Sequence, residues 1–512
     1  MKLDQGSVTS SKALVLSVLA IVLTASIGAA FYYPGSKILF ITFCALSIAT
    51  VHAALINRAG SYFAFFLFAF LTLGCWAKLV LHLYLGNDFI EPVGDFDESP
   101  AAWDRAVTVL ITAFAALLLC FYLVSSTIQP RREREISVVS SEWLTKLLAL
   151  AILATLGLLG FNYYFSILKI GYEPTLRLNS YVYVVVAFMV AWGNAIAIST
   201  IAYWMVEYRK IPPSALFYLA IVEGGLTAIS MGSRAQMILH VAVPFAVYLL
   251  QGRRLGWRFS ALQWIKILGA TALMFIFSIL AVSADRLASF AQAIPFTDKP
   301  VEMHELRAGS ADQTAGQSSS QVSPRRIQAP KPPPRLNLNT EQKAKLITQE
   351  ISKLVVDRWV GIEGVLAVTS AQSLGTDLFR DGLKEDPARG TQAIYQRMSD
   401  AKYERFENFT FMTIPGPVAV LFYSGSYLVL FGGISLLFLL GYSIELAARE
   451  YLSNVMTSAT VGVALAYLVV QMNFPRAFWF FVIELVAFLV GLLALKWILR
   501  KIGKRSTSTE TI

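Results

Sequence analysis

The residues best placed to do chemistry lie between Glu223 and His240, in Glu-Gly-Gly-Leu-Thr-Ala-Ile-Ser-Met-Gly-Ser-Arg-Ala-Gln-Met-Ile-Leu-His. Two apolar segments meet there at Met231-Gly232-Ser233-Arg234, with one carboxylate inside the first segment and one guanidinium at the joint. A charge this close to hydrocarbon costs roughly 3 kcal/mol unless it is paired or faces water, which makes both residues candidates for function. An arginine ending a membrane helix is also an ordinary interfacial anchor, and that reading stands beside the functional one. Glu223 precedes Arg234 by about three helical turns, some ~16 Å at 1.5 Å per residue, so the two cannot touch on a straight helix. With Gly224 and Gly225 beside it, Glu223 is expected to bond a polar group on a neighbouring span and to support packing. His240 and Glu484, also inside apolar segments, are weaker candidates of the same kind.

Other charges converge on the same predicted face. Asp285 and Arg286 close one apolar segment, Asp357-Arg358-Trp359-Val360-Gly361-Ile362-Glu363-Gly364 lies in a later polar stretch, and Arg476 sits between the last two apolar segments. Several guanidinium groups around one face suit bidentate recognition of phosphate or diphosphate. Arg234, Arg358 and Glu363 are the catalytic candidates, with Glu363 as general base and Glu223 a poor second. Arg286, Arg476, Trp359 and Ser233 are the substrate-binding candidates. No phosphate-binding Gly-x-x-x-x-Gly-Lys-Ser/Thr loop, no His-Glu-x-x-His and no Gly-x-Ser-x-Gly occurs, so nucleotide hydrolysis, zinc proteolysis and hydrolase-type acyl transfer lack their usual parts. Cys44, Cys75 and Cys120 fall in apolar runs and have neither disulfide-framework nor metal-ligand spacing. No metal and no cofactor is expected.

The elements that must position these residues are membrane helices. Of the 512 residues 56% are hydrophobic and 15% charged, and the mean hydropathy is +0.58, outside the range of soluble domains. Unbroken apolar runs long enough to span mean an all-α polytopic protein and not a barrel. Spans are predicted at 13–33, 38–56, 61–85, 105–126, 144–168, 180–206, 214–231, 235–250, 262–284, 417–445, 454–473 and 476–499, about twelve in all. The net charge of +10 does not imply nucleic acid, because the basic residues lie in short loops where they set topology. Arg58, Arg131-Arg132-Glu133-Arg134, Arg209-Lys210, Arg253-Arg254, Arg258, Arg449 and the tail Arg500-Lys501-Lys504-Arg505 fall on one side. Lys37, Arg105, Arg177, Arg234, Arg476 and the acidic Asp88–Glu98 stretch fall on the other. Both termini are therefore expected in the cytoplasm of a bacterial-type inner membrane, with the insertion outside.

The chain divides into helices 1–9 over residues 1–285, an outer loop over 286–413, and helices 10–12 with a basic tail over 414–512. Residues 286–339 have the Pro- and Ser-rich composition of a mobile linker. Residues 340–413 are expected to form a lid of amphipathic helices. Leu346, Ile347, Ile351, Leu354, Val355 and Trp359 recur at helical spacing opposite Lys345, Gln349, Glu350 and Lys353. A second polar helix is predicted from Pro387 to Phe406.

Ile229-Ser-Met-Gly-Ser-Arg-Ala-Gln-Met-Ile resembles the turn of the Wzy-type oligosaccharide repeat unit polymerases, where a span ends in Gly-Ser-Arg and another apolar run follows at once. Ile414-Pro-Gly-Pro-Val-Ala-Val-Leu-Phe-Tyr-Ser-Gly, then Phe431-Gly-Gly and Leu440-Gly441, is similar to the Gly-punctuated span after the large outer loop of that family. The resemblance covers residues 220–245 and 414–445 and places Arg234 at the family's arginine. It implies a membrane-embedded glycosyltransferase with a C-type glycosyltransferase-like helical fold, working at the periplasmic face. The reaction joins undecaprenyl-diphosphate-linked repeat units, donor to acceptor, into O-antigen, capsule or exopolysaccharide, without metal or nucleotide. A repeat-unit flippase and a chain-length regulator would be partners, membrane lipid the medium, and nucleic acid no part of it. Trp359 and Tyr395 could then stack on sugar rings. An O-antigen ligase would use the same donor. A polysaccharide transporter or flippase is the alternative of another class, and a non-catalytic assembly or sensor protein a third.

Overall fold

A computed structural model describes residues 6–56, 60–86, 89, 91–127, 141–172, 174–293, 359–401 and 413–509. Residues 286–293, expected as the start of the linker, are helical; the rest of the linker, the amphipathic stretch around Leu346–Val355 and Arg358 lie outside the described residues. Every regular element among the described residues is helical. In chain order these are α1 (Gly6–Tyr32), α2 (Lys37–Ile56), α3 (Tyr62–Leu71), α4 (Lys78–Leu85), α5 (Pro100–Thr127), α6 (Ser141–Phe165), α7 (Ser180–Phe188), α8 (Asn194–Glu207), α9 (Ser214–Met231), α10 (Arg234–Gln251) and α11 (Ala261–Ala293). The insertion contributes α12 (Ile362–Ser370), α13 (Thr376–Lys384) and α14 (Ile394–Met398). Then follow α15 (Gly416–Phe422), α16 (Tyr427–Leu452), α17 (Val455–Val470) and α18 (Pro475–Thr509). Two π-helical turns, Thr72–Ala77 and Met189–Gly193, join α3 to α4 and α7 to α8 within single spans.

Ten of these helices, counting each π-linked pair once, are long and apolar enough to cross a membrane. The chain is thus a multi-pass membrane protein. The shorter apolar α17 is the centre of the bundle: every residue from Val455 to Ala466 is buried, and it packs on α3, α8, α10 and α16. Gly462 lets α3 approach, since a Cβ there would stand 2.7 Å from the Phe63 backbone nitrogen. Backbone cannot yield as a side chain can, so Gly462→Ala should lower stability by about 1–3 kcal/mol. Thermal unfolding of the purified protein checks this against Gly432→Ala and Gly491→Ala, whose Cβ atoms would meet nothing within 4 Å and which should change little.

The expected span 417–445 is two elements. α15 stops at a turn with Gly425 at φ +66°, and Ser426 then caps the much longer α16, its hydroxyl accepting from the Val429 N–H. Gly punctuation breaks the helix where the apolar run alone suggests continuity. The helix expected over Pro387–Phe406 also differs. A 3-10 turn at Pro387–Gln392 is interrupted at Gly390 (φ 53°), and only five residues, Ile394–Met398, are α-helical before Asp400 turns to positive φ.

Loop contacts define the two ends of the bundle. At the end bearing the insertion, Asp104 accepts from the Ser36 N–H at 2.8 Å and Arg105 donates to the Thr369 carbonyl at 3.1 Å. There too Gly94 N–H donates to Ser399 and Ile170 N–H to Met231. At the opposite end Arg449 donates to the Gly60 carbonyl at 3.0 Å and Lys496 to the Leu452 carbonyl at 2.6 Å. The same alternation of loops is legible in the charge pattern.

Candidate functional site

The Met231–Arg234 turn is built as its residue types require. Gly232 adopts φ +62°, a left-handed conformation that ends α9 without steric cost. Ser233 then takes extended angles at the N-cap of α10 and is buried, but its side chain makes no capping bond. The N-terminus of α10 therefore points to the insertion-bearing end, an end that attracts anions, with the Gln236 N–H donating to the Ser233 carbonyl at 3.2 Å. Arg234 opens this helix and donates from Nη2 to Ser283 Oγ of α11 at 2.7 Å.

A second cation reaches the same place from the loop after α6. Lys169, buried, pairs with Asp285 at 2.7 Å two residues beyond Ser283, and Tyr172 donates to Asp285 at 3.5 Å. The Lys169 ammonium lies 4.5 Å from the Tyr172 ring centre and 5.1 Å from that of Tyr163. Its aliphatic stem lies along the turn, with Cγ 3.5 Å from where a Gly232 Cβ would be. Fully buried Asn162 holds this loop: its amide donates to the Leu168 and Ser230 carbonyls and its oxygen accepts from Leu168 N–H at 2.7 Å. Within the first turn of α10, the amide oxygen of Gln236, 3% exposed, has no hydrogen-bond partner among the described residues. Arg234, Lys169, Asp285 and the α10 N-terminus thus form one polar cluster, and Arg286 follows Asp285 in α11.

Glu363 belongs elsewhere. It lies in the first turn of α12, buried, and pairs with Lys78 of α4 at 2.5 Å. α12 packs on α5, α15 and the Thr72–Ala77 turn, whereas α9, α10 and α11 pack on one another. Trp359 stacks on Phe70 with ring centres 5.7 Å apart, so part of its face is already used. Tyr395 is 1% exposed and belongs to the core, not to a sugar-stacking surface. Arg476 is half-exposed, 3.5 Å from Asp386 of the insertion and 5.8 Å from the Phe480 ring centre. Of the expected site residues, Arg234 and Ser233 sit in one cluster, while Glu363, Trp359 and Arg476 are engaged at other places. Lys169 and Lys78 are the additions. Their signal in the sequence is a lysine in or at the edge of a span.

Deeper in the bundle Glu223 meets the polar partner expected for it. His240 Nδ1 is 2.6 Å from Glu223 Oε2, and Thr227 donates to Oε1 at 3.0 Å. His240 Nε2 lies 3.2 Å from the Ala191 carbonyl, in the π-helical turn. A carbonyl only accepts, so Nε2 carries a hydrogen, and a second proton is needed between Nδ1 and the carboxylate. Beside it is a cavity of about 20 Å³ lined also by Ser199 and Thr460, room for one water.

No protein-family model, curated protein or solved structure matched the chain when compared with it.

Proposed function

We propose that the chain is a membrane-embedded glycosyltransferase that joins undecaprenyl-diphosphate-linked oligosaccharide repeat units into O-antigen or a related surface polysaccharide. The observation that carries this reading is the cationic cluster at the Gly232-Ser233-Arg234 turn, at the end where the insertion lies. In the reaction an acceptor hydroxyl oxygen bonds to the donor's anomeric carbon while the bond from that carbon to the diphosphate oxygen breaks. The carrier diphosphate leaves with the electron pair, and preorganised cations in a water-poor site stabilise the charge that develops. Arg234 suits this role through its planar donor set and Lys169 as a point charge. The hydroxyl proton needs an acceptor. Asp285, with a side chain 23% exposed, is better placed for it than Glu363, with a side chain 5% exposed against Lys78.

The reading places the protein in a bacterial inner membrane with both termini cytoplasmic and the insertion periplasmic. A periplasm-dependent reporter fused after Gln317 should be active; activity of a cytoplasm-only reporter there would overturn the orientation. For the site, Arg234→Ala should cost about 1.5–3 kcal/mol of transition-state stabilisation, a loss of roughly 10–150-fold. In a deletion strain complemented with this variant at normal membrane abundance, the glycan ladder should collapse toward single repeat units, with Arg234→Lys intermediate. Unchanged ladder length would sink the proposal, and complete absence of surface glycan would point to a ligase.

The Glu223–His240 pair favours one second reading, a proton-coupled transporter or flippase, since ionisable groups inside a bundle often mark ion paths. Glu223→Gln separates the two. It should abolish transport in that case, whereas a polymerase whose bundle remains folded should keep its ladder.

A further inference from the structure

At the bundle end opposite the insertion, the loops joining α8 to α9 and α10 to α11 line an open cavity of about 610 Å³. Its lining combines Arg209 and Lys210 with Tyr203, Trp257, Pro212 and Pro213, and Glu207 is its one acid. Its volume is within the range of small-ligand sites, and its walls carry apolar and aromatic side chains beside the basic ones.

Both loops are shaped by the same device. α8 ends with Arg209 N–H bonded to the Val206 carbonyl and Lys210 N–H to the Met205 carbonyl, each at 2.9 Å. α10 ends with Trp257 N–H bonded to the Gly252 carbonyl at 2.9 Å. Such turns place one residue in the left-handed region, normally glycine. In the second loop it is Gly256, at φ +68°; in the first it is Arg209, at φ +54°. An L side chain is disfavoured there, and a residue held so at a cavity wall is a functional signal. Positive-inside topology explains basic residues at this end but neither the cavity nor an arginine in the glycine position. Arg253, Arg254 and Arg258 follow on the second loop, so five cations stand against one carboxylate. Arg209, Lys210, Arg254 and Arg258 are exposed and make no ion pair among the described residues.

We propose that this cavity binds a phosphate-bearing anion, supplied by the headgroup of an anionic lipid. Helix ends lie at headgroup depth, basic pockets between spans there suit such lipids, and Trp257 and Tyr203 are the side-chain types that favour this layer. The site is independent of the chemistry proposed for the opposite end.

The test uses the purified full chain, with phosphatidylglycerol or phosphatidylcholine added to delipidated protein and bound lipid counted by native mass spectrometry. Wild type should retain phosphatidylglycerol at least fivefold over phosphatidylcholine. Arg209→Gly/Lys210→Gln should lose that preference, and since glycine suits φ +54° its unfolding temperature should not fall below that of Arg209→Gln/Lys210→Gln. Lys146→Gln/Lys501→Gln, which removes two cations from the same end, should leave the preference intact. Inorganic phosphate at millimolar concentration distinguishes the sources: displacement of phosphatidylglycerol means a phosphate site that solution anions also fill, and no displacement means a lipid site. Equal retention of the two lipids by wild type, or a loss in Lys146→Gln/Lys501→Gln equal to that in Arg209→Gly/Lys210→Gln, would overturn the proposal.

Discussion

Removing either member of the Lys78–Glu363 pair should damage the protein far more than removing both. The two groups are 2.5 Å apart with side chains 4% and 5% exposed, so deleting one leaves an uncompensated buried charge, at a cost of about 3–5 kcal/mol. Replacing both by apolar residues of similar size removes the desolvation cost along with the attraction and is near neutral or stabilising. Lys78→Met and Glu363→Leu are thus expected to give little monodisperse protein singly, and Lys78→Met/Glu363→Leu to recover it, read by size-exclusion chromatography and thermal unfolding. The local fold supports a structural role. The Thr72–Ala77 π-turn carries Gly74 against the Val360 carbonyl, 2.0 Å from where its Cβ would be, so the backbone leading into Glu363 is clamped on the turn leading into Lys78. The double variant also separates the two roles open to Glu363. Folded protein with normal glycan extension makes the pair a strut; folded protein without extension restores Glu363 as general base.

That Glu363 is expected beside Arg234 and is found instead against the buried Lys78 illustrates what a one-dimensional reading can hold. Arg234 is legible because its signal is local: a glycine that must take positive φ, a serine and an arginine between two apolar runs. The partners of Arg234 are not local. Ser283 lies 49 residues away, and Lys169 meets Asp285 only because Asn162 folds the α6 loop onto the end of α9. Glu223 shows the intermediate case. Its burial and its need for a polar partner follow from its place in an apolar run, but His240 becomes that partner only when α9 and α10 fold back on each other at Gly232. Span positions are the most legible feature, since hydropathy is summed over many residues. The division of 417–445 into α15 and α16 is hidden because both pieces are apolar, and only the conformation at Gly425 separates them.

Glu445 presents the other large expected effect, and it too is invisible to hydropathy. From the last third of α16 its carboxylate accepts from Ser61 Oγ at 2.5 Å, from the Tyr62 and Phe63 N–H groups at 2.9 Å, and from Ser458 Oγ at 2.9 Å. One side chain therefore caps α3, which begins there, and ties α3, α16 and α17 together at the bundle centre. Glu445→Ala leaves two buried backbone N–H groups unsatisfied and should cost about 3 kcal/mol or more, a large share of a stability of roughly 5–15 kcal/mol. Glu445→Gln tests the mechanism more sharply. Each carboxylate oxygen accepts from one backbone N–H, Oε1 from Tyr62 and Oε2 from Phe63, so whichever way the amide is turned its NH₂ faces a donor that cannot become an acceptor. The serine hydroxyls can reorient; the N–H groups cannot. The glutamine variant should therefore unfold at nearly as low a temperature as the alanine variant, with Arg449 and its bond to the Gly60 carbonyl unable to compensate for a donor facing a donor. A glutamine variant as stable as wild type would show that α3 is held by its packing on α17 alone.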